Sequence, residues 1–306
     1  MHKSKLPERW LGIAAVATVM VVFGITFVAI KIALVEIEPL TLAFGRFLIA
    51  LILFAPFLGR RREGVQAWQL AAMGFFGVTL FFALQNWGLV YTTAADAAIV
   101  LSAIPALTAI IGRVVLGETL GFMRGSGILL SMAGVAVVVI GGSPGGSHHA
   151  TAGELGWSST LLGDLLVLGA ALCWALYTVL GRRVVARLPH AVVTAHTIAW
   201  GTLFLAPLAL WEISLQGVSW PSARGWAALL FLAVAASGLA FFLYLFALTR
   251  LKAGEASVYV NLSPVVTLVA ARFVLAEPIA LLQLVGAALV LSGVYLSERG
   301  ARSSVS

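Results

Sequence analysis

The chain has 306 residues, of which 61% are hydrophobic and only 10% charged. A soluble domain carries roughly 25% charged residues to face water, so a soluble fold is excluded and the outer surface must be apolar enough to face lipid. The formal net charge of +7 comes from short basic clusters between apolar runs, which makes it a topology signal and argues against nucleic acid as a partner.

A bilayer core about 30 Å thick needs about 20 apolar residues of helix. Ten runs of that order follow one another, at roughly 10–34, 40–58, 66–90, 95–116, 124–142, 160–181, 190–212, 225–248, 255–275 and 279–297. Backbone amides in lipid must find partners within their own segment or in a closed barrel. The runs are continuously apolar rather than alternating, which predicts ten helices.

The first run follows the basic segment MHKSKLPERW. It is too long for the core of a signal peptide and has no small-residue cleavage site, so it is expected to remain as a span. It carries Phe23 and Thr26. The second run holds Arg46, the one arginine well inside a span. The third holds Gln85 beside Asn86. The fourth holds Ser102 and, three residues on, Pro105. A proline removes one amide bond and crowds the preceding turn, so Pro105 predicts a kink or hinge.

After the fifth run comes a Gly/Ser-rich linker, residues 143–159, which splits the chain into a first unit, 1–142, and a second, 160–306. His148 and His149 within it have no cysteine or carboxylate beside them, and no metal site is expected. The lone Cys173 cannot form an internal disulfide. The sixth run carries Trp174 and Tyr177, the seventh His196, the eighth Tyr244, and the ninth Asn261 and Pro264. A second polar loop separates the seventh and eighth.

Orientation follows from the loops. With the N-terminus cytoplasmic, fifteen of the nineteen Lys and Arg residues fall inside, against Lys31, Arg224 and Arg272 outside, with Arg46 within a span. That bias predicts cytoplasmic N- and C-termini.

The two units repeat. Ala94–Glu118 and Ala253–Glu277 align without a gap at an offset of 159, with 8 of 25 positions identical, among them Pro105/Pro264, Arg113/Arg272 and Glu118/Glu277. Asp96 faces Glu255. The glycines Gly127 and Gly134 face Gly286 and Gly293. The first two spans match more weakly at an offset of 151, where Lys31 meets Arg182. A repeat unit of five helices is odd, so the second copy must cross the membrane in the opposite sense. Such 5+5 inverted repeats characterise secondary transporters, with substrate held near the midplane between the halves.

Substrate on a pseudo-twofold axis meets equivalent residues from both halves. Gln85/Tyr244, Ser102/Asn261, Thr26/Tyr177 and Phe23/Trp174 are therefore the candidate cavity residues, with interhelical hydrogen bonds as the other reading of each. Gln85 and Asn86 point about 100° apart on a helix, and symmetry prefers Gln85. Arg46 has two readings: a partner for a substrate carboxylate, or a side chain that snorkels outward or caps a helix. His196 is a candidate for proton coupling or a hydrogen-bonded structural histidine. Arg113/Glu118 and Arg272/Glu277 sit at opposite span ends as anchors or gate pairs. No Asp or Glu falls at mid-span. Asp96, Asp164, Glu118, Glu255 and Glu277 all lie near helix ends, which leaves no obvious buried carboxylate relay. Zinc-protease, nucleophile–base and phosphate-loop patterns are absent as well, so an intramembrane enzyme is the weaker reading and no cofactor is expected.

The stretches ALQNWGLVYTTAADAAIVLSAIPALTAIIGRVVLGETL and FALTRLKAGEASVYVNLSPVVTLVAARFVLAEPIALLQLVGAALVLSGVYL, with LTLAFGRFLIALILFAPF for the second span, resemble the EamA domains of the drug/metabolite transporter superfamily. Within it, the chain is similar to the bacterial amino-acid exporters of the YddG type. The resemblance covers nearly the whole chain. It implies an all-α integral membrane protein of ten helices and export of small metabolites across a bacterial-type inner membrane. Amino acids, aromatic ones included, are the leading substrates, with efflux of drugs or other metabolites as the alternative. The expected partners are a small-molecule substrate and the bilayer, with the chain working as a monomer.

Overall fold

The structure is a computed structural model that describes residues 6–59, 64–116, 121–141, 157–185, 187–217, 220–240, 243 and 262–303. Every regular element among them is helical. The first five apolar runs form α1 (Leu6–Ala33), α2 (Pro39–Leu58), α3 (Ala67–Gly74) passing through a π-helical turn (Phe75–Leu80) into α4 (Phe81–Tyr91), the pair α5 (Ala94–Leu101) and α6 (Ile104–Leu116), and α7 (Phe122–Gly141). The second five form α8 (Trp157–Val185), α9 (His190–Gln216), α10 (Ala223–Leu230) running into a second π-helical stretch (Phe231–Leu239), α11 (Leu262–Val274) and α12 (Leu281–Ser303).

Six of the helical runs are long and apolar enough to cross a bilayer, and four shorter apolar helices occupy the remaining expected spans. Large apolar side chains cover the outside: Ile52 is 70% exposed, Phe273 84% and Phe122 93%. In water that surface would be untenable; in lipid it costs nothing.

Local chemistry sets where helices begin and bend. Pro39 opens α2, where its missing N–H would have no partner in any case. Between α5 and α6 the Ala103 amide reaches back only three residues, to the Val100 carbonyl at 3.1 Å. The break falls just before Pro105, which has no N–H to offer Leu101. Pro264 is buried within α11, near the start of its described stretch.

The two π-helical stretches fall at matching places in the third span of each half and are braced alike. Thr79 donates to the Gly74 carbonyl and to the Gly201 carbonyl of α9 (3.4 and 3.1 Å). Ser237 donates to the Leu232 carbonyl at 3.0 Å and accepts from Arg46 Nε of α2 at 2.8 Å. Each π turn thus engages the second span of the opposite half.

α7 and α12 pack along their lengths on glycines. A Cβ on Gly127 would lie 2.6 Å from the Gly293 carbonyl oxygen, and one on Gly293 would lie 2.6 Å from the Gly127 carbonyl oxygen. Gly134 and Gly286 meet in the same way, at 2.8 and 3.0 Å. Small residues let backbones approach this closely in a membrane, where dispersion contacts hold helices together. Around this seam α2 packs on α9, α1 on α11 and α6 on α8.

Candidate functional site

A chain of aromatic rings crosses the middle of the bundle. Phe47 of α2 meets Phe82 at 4.6 Å between centroids, Phe82 meets Phe81 at 4.7 Å, Phe81 meets Trp174 of α8 at 4.8 Å, and Trp174 meets Tyr177 at 5.1 Å. Gly77 makes this possible: a Cβ there would lie 2.5 Å from the Tyr177 ring. The Arg46 guanidinium lies 4.6 Å from the Phe82 centroid and 5.3 Å from that of Phe47. Stacking on ring faces stabilises a desolvated cation. Gln85 lies one turn from Phe81 and Phe82, on the same helix face. It is buried, and its amide oxygen accepts no hydrogen bond among the described residues.

Arg46 is 5% exposed, so it does not snorkel to an interface. Trp174 and Tyr177 join Arg46 through the rings, and Gln85 shares the face of two of them. Asn86 points elsewhere, donating to the Pro39 carbonyl at 2.9 Å and so tying α4 to the start of α2. Thr26 and Ser102 spend their hydroxyls within their own helices, on the Val22 and Ala98 carbonyls. Phe23 packs in a separate apolar cluster with Ala240. His196 is buried, with Nδ1 2.8 Å from the Val192 carbonyl of its own helix. Tyr244 and Asn261 lie outside the described residues, as do Glu118 and Glu255. The rings Phe47, Phe81 and Phe82 escaped the sequence reading, because on the page they are indistinguishable from lipid-facing aromatics.

A second polar centre lies at the end of the bundle where α2, α5, α8, α10 and α12 begin. Carboxylates from one helix cap the first turn of another. Glu212, near the end of α9, accepts from the Leu40 and Thr41 amides and the Thr41 hydroxyl of α2 at 2.7–3.1 Å. Glu277 accepts from the Ala94 amide of α5 with both oxygens at 3.1 Å. Glu36, in the α1–α2 connection, accepts from the Ser222 amide and hydroxyl at the cap of α10. Those two donors hold the Glu36 carboxyl below its usual range. The first amides of a helix lack internal partners and carry partial positive charge, so anions there are stabilised.

Three buried ionisable side chains complete this end. Lys31, 2% exposed, lies within electrostatic reach of Glu277 and Asp96. Asp96 accepts from the Thr93 hydroxyl at 2.8 Å and from the Gln283 amide of α12 at 2.9 Å. Asp164 of α8 accepts from the Thr92 hydroxyl. This corrects two expectations. Lys31 is not an outside loop residue: burial among carboxylates takes it out of the topology count. Asp96 and Asp164 are near helix ends in sequence, yet both are fully buried, with Gln283 of α12 on Asp96 and Thr92 on Asp164. Of the Arg272/Glu277 pair, Glu277 reaches a neighbouring helix, at the Ala94 amide of α5. Ala276 adopts a positive φ of 56°, the chain reverses, and Glu277 turns inward while Arg272 stays exposed.

The model of the EamA-like transporter family matches residues 10–140 and again 161–299. The chain belongs to that family. It is 33% identical to an uncharacterized transporter of Archaeoglobus fulgidus, over 92% of this chain and 95% of that one. A probable amino-acid metabolite efflux pump of Salmonella typhimurium is 30% identical, over 93% of each. A probable terminal-alkyne amino-acid exporter of Streptantibioticus cattleyicolor is 26% identical, over 93% and 92%. A crystal structure covering 99% of this chain and 100% of its own aligns with a TM-score of 0.63 at 22% identity, a likeness of fold. The chain is thus a multi-pass membrane transporter of the drug/metabolite superfamily.

Proposed function

We propose that this EamA-family transporter is a secondary exporter, without covalent chemistry, that carries small amphipathic zwitterions by alternating access, amino acids with aromatic or other apolar side chains first among them. The observation that carries the reading is the Arg46 guanidinium, buried at mid-helix on the faces of Phe47 and Phe82. A guanidinium in such a place suits a substrate carboxylate, since its planar fork matches the two oxygens. The ring chain out to Trp174 and Tyr177 offers an apolar wall for the side chain, and the free amide oxygen of Gln85 a partner for an ammonium. The names of two relatives, an amino-acid efflux pump and an amino-acid exporter, support the same class.

We further infer that the two matched stretches form an inverted pair, the first unit within 1–142 and the second within 160–306, in a bacterial-type cytoplasmic membrane with both termini inside. The reciprocal glycine contacts of α7 and α12 and the paired π turns support this reading.

The test is counterflow of radiolabelled L-phenylalanine in proteoliposomes. Wild type is expected to exchange it, and Arg46→Lys, which keeps the charge but loses the fork and the stacking, to raise KM about tenfold, the equivalent of roughly 1.4 kcal/mol. Exchange of cationic dyes without any amino acid would overturn the substrate class.

A further inference from the structure

Asp164 stands apart from the other acids at its end of the bundle. It is fully buried, its Oδ1 accepts the Thr92 hydroxyl, and its Oδ2 accepts no hydrogen bond among the described residues. A second carboxylate, Asp96 of α5, lies within electrostatic reach of it. Lys31 from α1 and Glu277 from the α11–α12 connection stand with Asp96. Of the other helices packed on α8, the described stretch of α7 brings only apolar residues to this end, and α9 brings Glu212, which is spent on the cap of α2.

If all three acids were ionised, one lysine would face three negative charges out of water. Asp96 already accepts from Thr93 and Gln283, and Glu277 from two helix amides. Asp164 has a single donor. An ionised carboxylate so placed carries a desolvation cost that one hydrogen bond cannot offset, whereas the neutral acid leaves only one hydroxyl unsatisfied. A metal cation in place of the proton would need about six oxygens around it. The packing denies the room: a Cβ on neighbouring Gly163 would lie 2.7 Å from the Thr92 amide and 2.9 Å from the Gly88 carbonyl.

We propose that Asp164 is a proton-binding site of this transporter, protonated while this end of the bundle is closed and releasing its proton to water when the end opens. The coupling to opening rests on the alternating-access reading above; the protonation itself does not. The carboxylic acid gives up one proton to a water molecule, leaving a carboxylate, and regains it from the medium before the end can close again. Proton exchange is thereby tied to one half of the transport cycle.

The full chain in liposomes at neutral pH is examined by infrared spectroscopy, which reports a protonated carboxyl as a carbonyl band separate from the amide bands. A band that is present in wild type, persists in Asp96→Asn and is lost in Asp164→Asn is expected. Thr92→Val should keep the band and move it to higher frequency, because the carbonyl loses its donor; this holds the test open should Asp164→Asn fail to fold. Absence of the band in wild type, its loss in Asp96→Asn, an unmoved band in Thr92→Val, or a band that grows only when sodium is replaced by choline would each overturn the assignment. These outcomes are independent of phenylalanine counterflow, so the site and the transport reading fail separately.

Discussion

At the scale of single residues, Lys31 shows what a charge inside this protein requires. It lies in the last turn of α1 and is among the largest fully buried side chains. Out of water, its ammonium is offset by the Asp96 and Glu277 carboxylates, which stand within electrostatic reach. Removing one partner of a buried pair leaves the other uncompensated, which typically costs about 3–5 kcal/mol, while replacing the whole set by apolar groups costs far less. Glu277→Ala should therefore lower the melting temperature in detergent sharply. Adding Lys31→Met should restore part of it. Equal and additive losses would show that the two residues do not interact.

The same residue shows why part of the site was hidden in the sequence. Lys31 was counted with the outside cations because it falls at the outer end of the first apolar run, a position that carries no information on which side chains of other helices pack over it. Asp96 and Asp164 were placed near helix ends for the same reason. Burial depends on the relative heights of helices remote in sequence. Arg46 was legible as an outlier in an apolar span, but its ring partners were not, since Phe82 and Phe47 come together only when α4 lies against α2.

At the scale of elements, the ten spans were legible because lipid demands about 20 apolar residues per crossing and the chain supplies them in sequence. The break before Pro105 was legible for an equally local reason. The π turns were not: nothing in FFGVTL or FLAVAASGL forbids an α-helix, and the wider turn depends on Thr79 and Ser237 finding carbonyls and partners on another helix. The glycines of α7 and α12 could be read as a packing face, but not which glycine meets which. Their contact makes a sharp prediction. Gly127→Leu would drive a side chain into the Gly293–Ser297 backbone, where even a Cβ would lie 2.4 Å from the Ser297 nitrogen. It should cost at least the 1–3 kcal/mol typical of overpacking, read as a lowered melting temperature. Gly121→Leu, with nothing within 4 Å of the added Cβ, should be neutral.

At the scale of the whole molecule, one end of the bundle is tied across many helices. Glu36 joins α1 to α10, Glu212 joins α9 to α2, Glu277 joins the α11–α12 connection to α5, and Thr92 joins α4 to α8. For alternating access this end must part in the other state of the cycle. Cysteines at Glu36 and Ser222, in a background with the single Cys173 replaced by serine, would test it. Bridging them with a short bifunctional thiol reagent should stop phenylalanine counterflow, and reductive release should restore it. Full activity with the bridge in place would show that α1 and α10 stay together throughout.

The seam between α7 and α12 has a consequence for how this chain tolerates change. Gly127 lies against Gly293 and Ser297, while its counterpart Gly286 lies against Gly134 and Val138. That is the pattern of an isologous contact, in which each surface is complementary to a copy of itself. A substitution that adds volume at Gly127 therefore meets backbone, the Gly293 carbonyl and the Ser297 amide, which no smaller side chain on α12 can withdraw, so the two helices must part to accept it. Along this line neither half can gain volume without parting the two helices, and the limit falls alike on Gly127 and Gly293.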